Sequence, residues 1–396
     1  MGRLPAMLRL PPAPFVLALA LSALALAACD VSVGSTGTVQ VVDAGDVKAD
    51  IPVVDKDLPP GPPVEFVSNS VYYVRALDVI QLADEKLDIA QFEVMASADY
   101  LYNNGAAYSY VDKLVDEVIA AHKRGVFVRV LLDDEIAVNK DVIAKLKAGG
   151  IPGTQVKLDV EKKEGAPPPK SKRIHIKFIQ SEQGYLIGST NWSVSSISKN
   201  NETDLLVRDE SARTKMAAYF DKLFAKPLIA QTVTIGTSKV AAPYADNGYG
   251  AAVGPVLDAA KTRIDVCTYS MNIDTGDKSS AVYKAVAKLE AAVKRGVKVR
   301  VIIDKSNYME EDGVQYNDAS AAYLKTKGIE VRFDQPTVIT HAKFVVTDDT
   351  LVLGSNNWGY GGFVDYHEAG IRTNDTKAIP AAAKYFDGIW AKSTAP

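Results

Sequence analysis

The chain spells one pattern twice: HIKFIQSEQGYLIGSTNW from His175 to Trp192, and HAKFVVTDDTLVLGSNNW from His341 to Trp358. In each copy a His and a Lys stand two residues apart, an apolar run follows, and Gly-Ser-x-Asn-Trp closes the stretch. The offset of 166 (341 − 175) holds at Gly188 and Gly354 and again at Glu202 and Glu368. Chance does not keep that register, so the chain is an internal duplication.

Outward from the repeat, the matched segments extend in both directions. Leu87–Ser97 and Thr262–Asn272 are apolar-rich strand candidates. The amphipathic stretches Tyr110–Arg124 and Ala281–Arg295 read as helices. They run into KRGVFVRVLLDD and KRGVKVRVIIDK, where Gly125 and Gly296 suit a helix stop and the β-branched runs suit buried strands. A further helix follows in each half, at Val142–Lys147 and Ala319–Lys325. Strands alternating with helices predict an α/β fold of two pseudo-two-fold-related halves, each a mixed, largely parallel β-sheet flanked by helices. The expected bounds are residues 66–228 and 229–396, with Pro227–Gly236 crossing between the halves. At 396 residues the chain is long enough for each half to bury its own core.

The start of the chain reads as targeting rather than fold. Arg3 and Arg9 precede an apolar run, Phe15–Ala28, that is short for a membrane span. Its end, Leu26-Ala27-Ala28-Cys29, resembles a bacterial lipobox, which predicts a signal peptide over residues 1–28 and lipidation at Cys29. Ordinary cleavage, or retention as an anchor, is the alternative. Residues 29–65, ending in Leu58-Pro59-Pro60-Gly61-Pro62-Pro63, read as a flexible tether. The protein is then expected to be exported and held at the cell envelope by acyl chains. Cys267, the other cysteine, sits in an apolar run and reads as a buried core residue, with a Cys29–Cys267 bridge as the alternative.

On a strand, successive side chains point to opposite faces. His175 and Lys177 therefore share one face while Ile174, Ile176 and Phe178 turn inward; His341 and Lys343 do the same against Ala342 and Phe344. A Lys beside each His repels a cation, and no Cys, Asp or second His stands at ligand spacing, so neither metal nor cofactor is expected. His367 and Glu368, as chain neighbours, face opposite ways. Two His, two Lys and two Asn gathered at a two-fold axis suit a phosphate diester. Lys177, Lys343, Asn191 and Asn357 supply donors for the non-bridging oxygens. One neutral His attacks phosphorus while the other, protonated, donates to the leaving oxygen. Ser189 and Ser355, two residues before each Asn, are assigned to substrate binding.

His175-x-Lys177 and His341-x-Lys343-x-x-x-x-Asp348, with the downstream Gly-Ser-x-Asn, resemble the paired HxKxxxxD motifs of the phospholipase D superfamily, over essentially all of Val64 to Trp390. The resemblance implies a phosphohistidine intermediate resolved by water or an alcohol, with Asp348 in the catalytic set. It also implies that Glu202 and Glu368 hold the imidazoles in their useful tautomer, that His175 attacks and that His341 is the acid. The first copy departs from the motif with Glu182 in place of Asp, which leaves the opposite assignment open. Glu182 and Asp348 fall in turns, where Asp bonds its own backbone better than Glu, so the change is expected to disturb a hairpin rather than the nucleophile.

Other features read as structural. His122 lies at a helix end, Trp192 and Trp358 pack the sheets, and Gly359–Gly362 lacks the strand-to-helix setting of a phosphate loop. The basic loop Val160–Arg173 meets lipid headgroups or a nucleic-acid backbone equally well, or is simply solvated. With 45 basic and 48 acidic residues, the formal charge of −3 gives no basic field for nucleic acid. Three readings result: a phospholipase D acting on phospholipid with water or alcohol as acceptor, a related endonuclease acting on DNA or RNA, and a decayed phosphate-binding surface lipoprotein. A cardiolipin-synthase-like transferase is a variant of the first, without the paired membrane spans expected of it. The anchor and the acidic balance favour phospholipid, and both half-sites on one chain predict a monomer.

Overall fold

In the computed structural model, which describes residues 61–95, 109–159, 173–225, 240–306, 310–311 and 314–396, the repeat folds into two seven-stranded sheets of matching topology. The first half runs β1 (Val64–Ser68), α1 (Val71–Gln81), β2 (Lys86–Gln91), α2 (Tyr110–Lys123), β3 (Phe127–Asp133), α3 (Asn139–Ala148) and β4 (Val156–Asp159). It continues through β5 (Lys177–Ser181), β6 (Gly184–Gly188), α4 (Val194–Ser198), β7 (Thr203–Val207) and α5 (Glu210–Ala225). The second runs β8 (Ala242–Ala245), α6 (Tyr249–Ala259), β9 (Arg263–Thr268), α7 (Ala281–Lys294) and β10 (Lys298–Ile303), then the short hairpin β11 (Glu310–Glu311) and β12 (Val314–Gln315). It ends with α8 (Asp318–Thr326), β13 (Glu330–Phe333), β14 (Phe344–Thr347), β15 (Leu351–Gly354), β16 (Ala369–Thr373) and α9 (Ala378–Lys392). The expected signal peptide, Cys29, most of the tether, nearly all of the basic loop and the crossing segment lie outside the described residues. Val64 and Glu65, placed in the tether by the sequence reading, belong to β1.

The strand orders are β1-β7-β6-β5-β2-β3-β4 and β8-β16-β15-β14-β9-β10-β13. Both sheets are mixed, as expected, but parallel pairing is confined to β2–β3–β4 and β9–β10–β13. The remaining pairs are antiparallel. The expectation of largely parallel sheets fails because the helices α2 and α3, like α7 and α8, supply the crossovers parallel strands require, whereas β5 and β6 are joined by a tight turn that permits only antiparallel pairing.

Local chemistry places the helices. Ser109 and Asp112 form a reciprocal capping box at the start of α2, and the Ser280 hydroxyl caps α7. Both helices stop at a glycine with left-handed backbone, Gly125 (φ 100°) and Gly296 (φ 84°). Within each sheet, an arginine forks onto a buried aspartate of the neighbouring strand. Arg129 holds Asp88 at 2.7 and 2.8 Å, and Arg300 holds Asp265 at 2.7 and 3.0 Å.

Alternation along the strands divides the apolar residues among three cores. Ile179 faces a core private to the first half, and Val345 one private to the second. Ile174, Ile176, Phe178, Ala342 and Phe344 all enter a third core that the halves share, together with Tyr219 and Phe220 of α5 and Phe386 of α9. Helix α5 packs on β8 of the other half, and α9 on β1. The shared core is the largest correction to a picture of two self-contained domains. Cys267 is buried within it.

Candidate active site

His175 and His341 lie in the extended segments entering β5 and β14, each pinned by backbone bonds to the opposite half. The His175 N–H donates to the His367 carbonyl at 2.9 Å, and the His341 N–H to the Asn201 carbonyl at 2.9 Å. Behind these segments the Ile174 N–H donates to Asp133 Oδ2 (2.8 Å) and the Thr340 N–H to Asp304 Oδ1 (2.7 Å). The two entering segments are thus anchored at both edges before any side chain is considered.

The carboxylates are exchanged between halves. Nδ1 of His175 lies 2.8 Å from Glu368 Oε1, and Nδ1 of His341 lies 3.0 Å from Glu202 Oε2. A carboxylate that accepts from Nδ1 leaves the lone pair on Nε2. Ser189 Oγ donates to Glu202 Oε2 at 2.6 Å, and Ser355 Oγ donates to Glu368 Oε2. Both serines are fully buried, and the glycines before them explain how they get there: a Cβ on Gly188 would lie 2.3 Å from the Thr203 carbonyl, and one on Gly354 2.5 Å from the Ala369 carbonyl. The Gly-Ser pair lets neighbouring strands approach until the hydroxyl meets the carboxylate. This geometry replaces the substrate-binding role expected of Ser189 and Ser355, because their hydroxyls are occupied and shielded.

Lys177 and Lys343 are buried, at 1 % and 2 % exposure. Each donates to the carbonyl of the His two residues before it, Lys177 at 2.7 Å. Each ammonium also lies over an aromatic ring that itself packs edge-on against the histidine: Phe92 for Lys177 and His175, Tyr269 for Lys343 and His341. Burial brings Lys177 down to about 8 and Lys343 to about 7, against the opposing pull of nearby carboxylates. Burial, with Lys177 and Lys343 adding to it, holds His175 well below its ordinary value. Burial also lowers His341, to about 4, while Glu202 pulls it back up. Charged groups of both halves act on each histidine, so the two His-Lys pairs form one site.

Asn191 and Asn357 each carry a buried Oδ1 without a hydrogen-bond partner, next to this cluster in sequence and strand order. The structure separates Asp348 from the others. It lies past the far end of β14, about 16 Å along the strand from Lys343. There its exposed carboxylate accepts from the backbone N–H groups of Lys261 (2.7 Å), Thr262 (3.1 Å) and Arg263 (3.0 Å). It ties the β14–β15 turn to the start of β9 and touches nothing in the site, which corrects its expected catalytic role. Glu182 does the same work for β2, accepting from the N–H groups of Asp84 and Lys86. The longer side chain spans the gap across the sheet instead of bonding its own turn, so the departure at Glu182 leaves the site untouched.

Sequence reasoning missed the residues that shape the site from behind. Asn139 and Asn317 each clamp the loop after the β2 or β9 strand. Asn139 accepts from the Val94 N–H and donates to the Phe92 and Asp133 carbonyls; Asn317 accepts from the Met271 N–H and donates to the Tyr269 and Asp304 carbonyls. Trp192 and Trp358 pack inside each half, as read, and donate to Tyr72 and Tyr249. Among the described residues no group of three or more His, Cys, Asp or Glu converges as a metal site would require. Among them, too, no helix is long and apolar enough to cross a membrane.

Two halves of one chain, each delivering a His-Lys pair to a common centre and lending a carboxylate to the other, define the phospholipase-D-like class. A family profile described as "Cardiolipin synthase, PLD-like domain" matches residues 77–224 and 255–390, and the chain belongs to this family. The chain is 31 % identical over 149 residues to the mitochondrial cardiolipin hydrolase of Xenopus laevis, covering 37 % of this chain and 63 % of that one. It is 31 % identical over 135 residues to the human protein of that name, 34 % of this chain and 48 % of the other. The chain thus spans about half to two thirds of the length of these relatives. Among solved structures, phosphatidylserine synthase of Haemophilus influenzae shares the fold with a TM-score of 0.63 at 11 % identity, over 84 % of this chain and 87 % of that one.

Proposed function

We propose that the chain is a phospholipase-D-type phosphodiesterase that cleaves phospholipid headgroups, or transfers the phosphatidyl group to an alcohol. The observation that carries this reading is the pair of buried histidines, each backed by a carboxylate of the opposite half, with two buried lysines beside them. Its phospholipid substrate is supported by relatives named cardiolipin hydrolase, which makes cardiolipin the first lipid to supply.

His175 is assigned as nucleophile and His341 as acid. Burial and every leading charge on His175 favour its neutral form, whereas Glu202 supports the protonated form of His341. His175 Nε2 attacks phosphorus, a P–N bond forms, and the P–O bond to the headgroup alcohol breaks as the proton of His341 passes to the leaving oxygen. His341 then takes a proton from water or alcohol, whose oxygen attacks phosphorus and expels His175. Lys177, Lys343 and the Nδ2–H groups of Asn191 and Asn357 are the donors for the phosphate oxygens; Ser189 and Ser355 orient the carboxylates. With Cys29 lipidated, acyl chains hold this site beside the bilayer of the cell envelope; a Cys29→Ala chain leaving the membrane fraction checks that arrangement.

The test supplies the full chain with mixed vesicles containing cardiolipin, ethanol and EDTA, and reads phosphatidylethanol and phosphatidic acid by mass spectrometry. Phosphatidylethanol that is lost in His175→Ala supports the covalent mechanism. Absence of both products sinks the lipid reading, and cleavage of single-stranded or plasmid DNA by the same chain would then carry the nuclease reading.

A further inference from the structure

The supports behind the two site carboxylates share one plan and differ in chemistry. Asn69 and Asp246 follow the edge strands β1 and β8, and both take left-handed backbone, at φ 50° and 49°. The Asn69 N–H donates to the Glu202 carbonyl (3.2 Å), and the Asp246 N–H donates to the Glu368 carbonyl (2.7 Å). A tyrosine from the opposite half reaches each one: Tyr385 donates to Asn69 Oδ1 and Tyr219 to Asp246 Oδ1, both at 2.7 Å. The residue before each glutamate, Asn201 or His367, supplies the carbonyl that fixes the opposite catalytic segment.

There the symmetry stops. In the first half both polar members, Asn69 and Asn201, are amides. In the second they are an acid and an imidazole, paired between His367 Nδ1 and Asp246 Oδ1 at 3.1 Å and buried at 1 % and 3 % exposure. An ionisable pair costs more to bury than two amides, and the first half shows that amides suffice for the architecture. Resting on the two-histidine reading above, we propose that Asp246 and His367 are positioning residues that make the half-sites inequivalent. They set Glu368, and through it His175, for nucleophilic attack, while Glu202 and His341 serve as the acid side.

The direction follows from the charges around each carboxylate. Burial raises Glu368 well above the ordinary range and the Asp246 carboxylate adds to the rise, against Lys177, Lys343 and the bond from Ser355. The buried hydroxyls of Tyr219, Tyr244 and Tyr249 also face Glu368, and burial keeps all three in the neutral phenol form. Glu202 has the neutral Asn69 at the matching place and is lowered overall, His341 and Lys343 outweighing burial. A weaker anion behind His175 leaves the ring neutral and its Nε2 free; a firm anion behind His341 supports the imidazolium.

Asp246→Asn with His367→Asn rebuilds the second support in the manner of the first, and Asn tolerates left-handed backbone. The chain has four histidines, so ring NMR on the full chain resolves the titrations of His175 and His341 without substrate. In the double variant the His175 titration is expected to rise by about one unit, and kcat on vesicles to fall about tenfold at unchanged KM. Tyr219→Phe, which withdraws one hydrogen bond, moves both readouts the same way by less, and decides the matter if the double variant does not fold. Unchanged His175 titration in the folded variant overturns the proposal. Because the NMR needs no turnover, a wild-type chain inert on vesicles would count against the function alone.

Discussion

Lys343 and Lys177 sit in the site with their ammonium pKa values lowered by burial, to about 7 and about 8. The role given to them requires the charged form, which lowered values make available only below those pH values. In the free enzyme kcat/KM should therefore fall as pH rises through about 7 to 8, while the limb in kcat moves higher because bound phosphate holds the protons. The acid limb should lie well below the ordinary histidine range, where His175, held down by burial, takes up a proton and ceases to be a nucleophile. An initial-rate pH series on vesicles reads both limbs; a flat alkaline side to pH 9 or beyond would remove the lysines from phosphate binding. His175→Ala and His341→Ala should each lower turnover by about a thousandfold or more with unchanged far-UV circular dichroism, and full activity in either would end the two-histidine mechanism.

Elements carry the residues that the repeat brought to notice without serving the chemistry. Asp348→Ala should cost about 1 kcal/mol in urea unfolding, because the backbone N–H groups at the start of β9 lose their carboxylate acceptor, and leave kcat within about twofold; a thousandfold loss would restore it to the catalytic set. Arg129→Ala leaves the buried Asp88 with only the partly exposed Lys86 ammonium, 3.1 Å from Oδ2, so a loss of about 3 kcal/mol is expected, and a Cm shift worth less than 1 kcal/mol would deny the fork its structural role. The sequence made the His, Lys, Asn and Glu positions legible because His175–Glu202 and His341–Glu368 keep one offset through a tight strand turn and a short helical connection. Phe92 with Tyr269, and Asn139 with Asn317, escaped because insertions between β2 and β5 shift their offsets to 177 and 178 (269 − 92, 317 − 139). Pairing direction was misread for another reason. A buried parallel strand and a strand buried on both faces by a second half look alike as continuous apolar runs, and β6, β7, β15 and β16 are of the second kind.

At the scale of the molecule, the shared core and the exchanged carboxylates make the halves one unit. Each chain then holds one site, built from both of its halves. Mixing a His175→Ala chain with a His341→Ala chain should restore no activity at any concentration. Recovery that grows with concentration, read with size-exclusion chromatography, would instead reveal a swapped dimer in which halves of different chains pair.

The exchange of carboxylates also governs when, during synthesis, the site can come into being. On the ribosome, His175 emerges long before Glu368, and until that residue is made the imidazole has neither its carboxylate nor the His367 carbonyl that fixes its backbone. The site of a nascent or prematurely ended chain is therefore incomplete, and synthesis through Glu368, at the threshold of β16, completes it.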